Sequence, residues 1–413
     1  MPIKFPENFL WGAATSAHQV EGNNVYNDYW LLEHLPNSPF IEPSGDACDH
    51  YHRYRDDIAI LASLGFNAYR FSIEWARIEP EENEFSSASL NHYRRVLTAC
   101  HEHGLTPIVT LHHFTSPRWL IANGGWEGQQ TPDRFARYCS RVVEHLGDLM
   151  SVVCTINEAN TGRFVNQSKL WENRSFDLSS WWSTAAHAFG LPPATLVPFN
   201  RAASEQAVEI ILKAHHQAFE VLKTAQPQLC VGLTLTLDDI QAEPGSEQAA
   251  TNFREMVQNR FLRALDGDDF IGVQAYTTHK IGQNGILPPS GDTELTQMGY
   301  NFAPDVLETA IRHAIAATGL PVLVTESGIG SDNDAQRIAY IKRTLKGVLA
   351  CLGDGLDIRG WMYWSALDNF EWEFGYRPKF GLIAVDRVTQ ERKLKPSAKW
   401  LGQIAQGNQS AEL

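Results

Sequence analysis

Two acidic residues carry most of the chemistry that this sequence could perform. Glu158 closes the apolar run Val152-Val153-Cys154-Thr155-Ile156-Asn157, and Glu326 closes Val322-Leu323-Val324-Thr325. One such acid alone reads as a solvated loop carboxylate or a helix-start charge. Two of them, each delivered at the end of a buried strand, form the pair that glycosidic bond cleavage requires. One carboxyl protonates the departing oxygen, and the other attacks the anomeric carbon or activates water. Gln19, Arg70, His113, Asn157, Tyr276, Trp364 and Glu371 also follow predicted strands. Taken singly, Arg70 reads as a structural ion-pair partner, Trp364 as core and Gln19 as surface. The adjacent His112 and His113 invite a metal reading, but neighbours on a strand point to opposite faces and cannot both line one interior. No H-E-x-x-H occurs, and no H-x-H ends the first strand, so neither a metal nor any other cofactor is expected.

The elements that must position these residues alternate along the chain. Short apolar segments near residues 9–14, 67–72, 107–112, 152–157, 230–236, 270–275, 321–325 and 358–364 read as buried parallel strands. Helical spacing fills the intervals. It runs through Tyr51, Tyr54, Ile58, Leu61 and Leu64 up to Gly65, then over about 88–103, 132–147, 203–225, 249–265, 303–317 and 333–352. Eight such units argue for an α/β fold, and the lack of a Gly-rich dinucleotide fingerprint after any strand favours a closed (β/α)8 barrel over an open sheet. On a barrel, functional residues come from the C-terminal strand ends and the loops that follow. A long loop over about 160–202 follows the fourth strand, carries Trp171, Trp181 and Trp182, and is expected to shape the mouth of the site.

Composition narrows the class. The chain has 413 residues, 43% hydrophobic, and a formal net charge of −14, with no Lys/Arg cluster of the kind that binds nucleic acid or anionic membranes. A small neutral substrate fits this balance. Length alone suggests two or three domains, but barrels with extended loops exceed about 400 residues as one unit, and a single catalytic domain over 1–413 is expected. The N-terminal Met1-Pro2-Ile3-Lys4-Phe5-Pro6 lacks the apolar core of a signal peptide, no apolar run is long enough to span a bilayer, and the six cysteines lie far apart. A cytoplasmic protein with reduced thiols is the expectation. Oligomeric state is not legible.

Six segments resemble glycoside hydrolase family 1, the β-glucosidase family, in order along nearly the whole chain. They are Phe9-Leu10-Trp11-Gly12-Ala13-Ala14-Thr15-Ser16-Ala17-His18-Gln19-Val20-Glu21-Gly22, Tyr69-Arg70-Phe71-Ser72-Ile73-Glu74-Trp75-Ala76-Arg77-Ile78, Thr110-Leu111-His112-His113-Phe114, Thr155-Ile156-Asn157-Glu158, Thr325-Glu326-Ser327-Gly328 and Trp364-Ser365-Ala366-Leu367-Asp368-Asn369-Phe370-Glu371-Trp372. The resemblance implies a retaining hydrolase of β-D-glucosides, with β-galactosides and β-fucosides as further substrates, acting through a covalent glycosyl-enzyme. Glu326 would be the nucleophile and Glu158 the acid/base, while Arg70 and Tyr276 would hold the nucleophile. Gln19, His113, Asn157, Glu371 and Trp372 would bind sugar hydroxyls, and Trp364 would be the stacking platform. An acidic residue at Glu371 favours non-phosphorylated glycosides. A transglycosylase using the same intermediate, or a silent sugar-binding barrel, are the competing readings.

The chain also departs from the family pattern. Ser327 stands where Asn is usual, Ala159 where Pro usually follows the acid/base, and Thr115 where Asp is common. The sixth strand ends Gly272-Val273-Gln274-Ala275-Tyr276, so that Gln274 offers the usual amide chemistry on a longer arm. The segment Phe164–Trp182 is unlike the family. The sugar-ring machinery is expected to be nearly complete and the leaving-group side remodelled.

Overall fold

A computed structural model describes residues 4–168, 178–193, 195–291 and 293–408. Eight parallel strands close into a barrel: β1 (Leu10–Ala14), β2 (Ala68–Ser72), β3 (Thr106–His112), β4 (Val152–Ile156), β5 (Cys230–Thr236), β6 (Phe270–Gln274), β7 (Val322–Ser327) and β8 (Ile358–Trp364). Closure is made by β1, which pairs with β2 on one side and β8 on the other. The chain is therefore a (β/α)8 barrel, as the alternating pattern indicated.

The strands are apolar on both faces because both are covered. Ala14, Ala68, Ile108, Cys154, Phe270, Leu323 and Met362 form an inner cluster. Their neighbours Ala13, Tyr69, Val109, Val153, Ile271, Val324 and Tyr363 join the main core, where the surrounding helices lie. A helix follows each strand: His50–Ser63, Ser87–Glu102, Thr131–Leu146, Glu205–Ala225, Glu247–Leu262 (interrupted by a π turn over Glu255–Asn259), Val306–Thr318, Asp334–Gly353 and Pro396–Gly407. The first stops as predicted at Gly65, whose φ of +92° is a left-handed conformation that only glycine adopts without strain.

One strand departs from regular alternation. With Leu323 inside and Val322 and Val324 outside, an undistorted β7 would turn Glu326 away from the barrel axis. Its pairing with both neighbours shifts register after Val324. Bulges re-aim side chains in this way, and this one turns Glu326 into the barrel mouth.

The segment expected as a long loop is partly helical, with helices Thr161–Ser168 and Leu178–Ala188. Trp171 lies outside the described residues. Trp181 and Trp182 pack against each other in a satellite core with Tyr29, Leu32, Phe40 and Phe370. Phe164 instead packs against a small sheet formed by Asp239–Ala242, Thr278–Gly282 and Gly285–Ile286, which the strand pattern did not reveal. Among the described residues, no helix is long and apolar enough to cross a membrane.

Candidate active site

The C-terminal strand ends converge on a cavity of about 240 Å³. Its wall includes His113, Asn157, Glu158, Tyr276, Glu326, Trp364, Glu371 and Trp372, eight of the eleven residues singled out from sequence. The other three, Gln19, Arg70 and Gln274, are fully buried just behind the wall and bond to it.

Glu326 is gripped from two sides. Arg70, inward-facing on β2, donates from Nη1 to Oε1 at 2.5 Å, and the Tyr276 phenol donates to Oε2 at 2.6 Å. The second arm of the same guanidinium donates to Asn157 Oδ1 at 2.6 Å, tying β2 to both β4 and β7. Gln274 Nε2 donates to that amide oxygen as well, at 2.8 Å. The longer Gln274 arm therefore braces Asn157, the residue next to Glu158. Behind Glu326, a Cβ on Gly328 would meet the Trp364 carbonyl oxygen at 1.8 Å, so the β7 loop can lie against β8 only with glycine there.

Glu158 is held differently. Its backbone takes a left-handed φ of 42°, and its N–H donates to Thr234 Oγ1 on β5 at 3.0 Å. Two residues on, Asn160 donates to the Thr236 carbonyl at 2.7 Å and accepts from the Thr236 N–H at 3.0 Å, strapping the turn to the next strand. Burial, then the charges of Glu326 and Asp238, push the Glu158 carboxyl well above the usual carboxylate range. Burial also raises Glu326, but Arg70, Tyr276 and Gln274 all pull it back. The first proton to leave the pair therefore comes from Glu326, giving one ionised carboxylate facing one carboxylic acid.

The opposite wall is built for hydroxyls. Asn157 Oδ1 accepts from Arg70 and Gln274, so its Nδ2 is the donor facing His113 Nε2 at 3.2 Å. His113 Nε2 is then an acceptor and Nδ1 carries the hydrogen. Nδ1 is buried and has no protein partner, leaving a donor for a ligand. Burial and the nearby Arg70 charge hold this imidazole well below its ordinary range, so it stays neutral. Its neighbour His112 packs away from the cavity against Trp126 and Phe199, with Nε2 on Ser116. The two histidines are split as the strand geometry requires. Among the described residues, no cluster of three His, Cys, Asp or Glu could hold a metal ion.

Trp364 stacks on His113 at 5.7 Å and 20°. Gln19 Nε2 donates to Glu371 Oε2 at 3.2 Å and to the Phe370 carbonyl at 2.7 Å. Burial pushes Glu371 up to about 8 even though Asn369 and Gln19 donate to it. Thr115, in the place of the usual acid, donates to Glu74 from outside the cavity. Trp181 and Trp182 do not line the cavity; Thr161, Phe164, Val165 and Asn200 do. Residue patterns did not single out Asn160, Thr234 or Asp238, because each acts through a backbone partner whose position only the fold supplies.

A neutral acid, an anchored carboxylate, an aromatic platform and several hydroxyl partners around one small cavity can displace a leaving group at a sugar's anomeric carbon. Comparison with known proteins points the same way. The family profile "Glycosyl hydrolase family 1" matches residues 1–288 and 266–410. A thermostable beta-glucosidase B from Thermobispora bispora is 32% identical over 98% of this chain and 91% of its own length. A bifunctional beta-D-glucosidase/beta-D-fucosidase from Bifidobacterium breve is 30% identical over 97% of this chain and 98% of its own. The crystal structure of beta-glycosidase BGL167 superposes with a TM-score of 0.94 at 52% identity, covering 99% of both chains.

Proposed function

The chain belongs to glycosyl hydrolase family 1, and from that membership we propose that it is a retaining β-glycosidase of β-D-glucosides that works by double displacement. Glu326 attacks the anomeric carbon while Glu158 donates its proton to the departing glycosidic oxygen. The product of this step is a covalent glycosyl-Glu326. Glu158, now ionised, takes a proton from water, and the oxygen of that water displaces Glu326 with retention of configuration.

The observation that carries the reading is the unequal treatment of two carboxyls in one cavity. Glu326 is bracketed by a guanidinium at 2.5 Å and a phenol at 2.6 Å, whereas on Glu158 burial and the charges of Glu326 and Asp238 outweigh the pull of Arg70. Environment thus separates an anion from an acid, which is the division of labour the reaction needs. Arg70 and Tyr276 position the nucleophile. Gln19, His113, Asn157, Glu371 and Trp372 bind ring hydroxyls, Trp364 stacks beneath the sugar, and Gln274 braces Asn157 and helps hold Glu326.

Glu371 and the cavity wall support neutral sugars. A phosphate would have to enter a desolvated site beside a carboxyl, with no Lys or Arg among the described residues lining it. β-Galactosides and β-fucosides are additional substrates, since Glu371, which lines the cavity, can contact either epimer at O4.

Proton NMR of an aryl β-D-glucoside digest tests the proposal. β-Glucose is the expected first product, and α-glucose would overturn it. In Glu326→Ala, turnover should vanish and azide should restore it as the α-glycosyl azide. Near-normal activity in that variant would remove Glu326 from its role.

A further inference from the structure

Asp238 follows β5 directly and belongs to none of the motifs that carry the family resemblance, yet it lines the cavity. One carboxylate oxygen, Oδ1, accepts two successive backbone N–H groups, from Tyr276 at 2.7 Å and Thr277 at 3.2 Å. Oδ2 accepts from His279 Nε2 at 3.0 Å. The Asp238 carbonyl is fixed in turn by Gln258 Nε2 at 2.8 Å, from the π turn of the helix behind it. A π turn inside an α-helix often marks a functional position. Asp238 is only 9% exposed, and both carboxylate oxygens and the carbonyl accept bonds from the protein.

These bonds form one chain. The Tyr276 peptide hangs on Asp238, and the phenol of the same residue holds Glu326 Oε2. We propose that Asp238 is a positioning residue for the displacement, seating the Tyr276 peptide so that its phenol stays on Glu326 and standing as a fixed negative charge beside Glu158. The proposal rests on the double-displacement reading above. The groups around Glu158 include Glu326 and Arg70, Asp238 after the neighbouring strand, the Thr161 hydroxyl that bonds to it, the Tyr276 and Tyr300 phenols, Glu371 and Glu373 in the same cavity wall, and His279 on Asp238. Of these charges, Arg70 favours ionised Glu158. Asp238 and Glu326 both keep it protonated.

Two substitutions separate the two roles. Asp238→Asn keeps an acceptor for the Tyr276 peptide but removes the charge. Its alkaline limb of kcat/KM for an aryl β-D-glucoside should move to lower pH, with the plateau reduced only a few-fold. Asp238→Ala loses both, and its kcat/KM should fall by about 10- to 100-fold, the usual cost of removing a buried partner. In a Tyr276→Phe background, Asp238→Ala should add less than about three-fold, because the phenol through which it acts is gone. A residue that only stabilises the fold would lower the melting temperature, leave the limb in place and cost the same in both backgrounds. An unmoved limb in Asp238→Asn, or equal cost of Asp238→Ala with and without the Tyr276 phenol, would overturn the proposal. Should Asp238→Ala fail to fold, the Asp238→Asn limb decides alone. Wild-type turnover with β-glucose as first product, measured alongside, keeps failure here distinct from failure of the retaining mechanism.

Discussion

Arg70 Nη1 meets Glu326 Oε1 at 2.5 Å, in an ion pair whose guanidinium side chain is entirely buried. Burying two charges is unfavourable unless both stay paired and hydrogen-bonded, so the arrangement is fragile to loss of either partner. Arg70→Met should therefore do two things together. Stability should fall by roughly 3–5 kcal/mol, because an unpaired carboxylate remains in the barrel. Residual kcat/KM should fall by two or more orders of magnitude, since Glu326 loses the charge that keeps it ionised. Thermal melts and aryl-glucoside kinetics on the same preparation check both, and a stable, active Arg70→Met would remove the guanidinium from the mechanism.

Glu158 gives the second expectation, through leaving-group dependence. A substrate with a very acidic phenol needs little protonation as it departs, so Glu158→Ala should keep much of its glycosylation rate on a dinitrophenyl glucoside. On an alkyl glucoside the loss should exceed about 10²-fold, the usual share of general acid catalysis. The alkaline limb of the wild-type profile should lie above the usual carboxylate range, because burial and the charges of Glu326 and Asp238 raise this acid. That limb should disappear in Glu158→Ala with activated substrates.

His113 yields a prediction about a proton that does not move. Its ring is neutral with the hydrogen on Nδ1, as the donors on Asn157 dictate. It should contribute no ionisation to the pH profile between pH 5 and 8, and nitrogen chemical shifts of the free protein should show the Nδ1–H tautomer across that range. His113→Ala should raise KM and lower kcat/KM by about 10- to 100-fold, as expected for losing a donor to a buried hydroxyl. An imidazolium signal at neutral pH would contradict the hydrogen-bond assignment.

Sequence carried the barrel well because its strands are short, mostly apolar runs, and each of the eight barrel strands lies within about two residues of its expected limits. Arg70, Gln274 and Trp364 point inward by plain alternation from Ala68, Phe270 and Met362. Glu326 does not: only the register shift after Val324 turns it inward, and a bulge leaves no mark in a pattern of apolar residues. Asn160 and Asp238 were hidden for a related reason. Their partners are peptide groups of other strands, and any residue type at those positions would present the same N–H or carbonyl. The helices within 160–202 escape the β-then-α rhythm because their apolar faces pack on satellite clusters and not on the barrel.

Glu371 supplies the sharpest test of burial against charge. Its carboxyl is pushed up to about 8, from the usual 4.5 of a free glutamate, chiefly by burial. The folded state therefore holds this proton more tightly than the unfolded chain does. Below about pH 4.5 the group is protonated in both states and costs nothing. As pH rises toward 8 it ionises in the unfolded chain first, so folding stability is lost across that window and is lowest above it. Replacing the group with the neutral isostere removes this dependence. Glu371→Gln should melt at nearly the wild-type temperature at pH 4.5 and several degrees above it at pH 8, provided the Gln19 and Asn369 bonds survive. The same change should lower kcat/KM for a β-glucoside by at least about 10-fold, because the group that can ionise to accept from sugar hydroxyls when the ligand binds is lost. Stability and activity thus move in opposite directions at one residue, as expected where a site holds a charge for its ligand at the fold's expense. A Glu371→Gln protein no more stable than wild type at pH 8 would show that this carboxyl is not desolvated in the free protein.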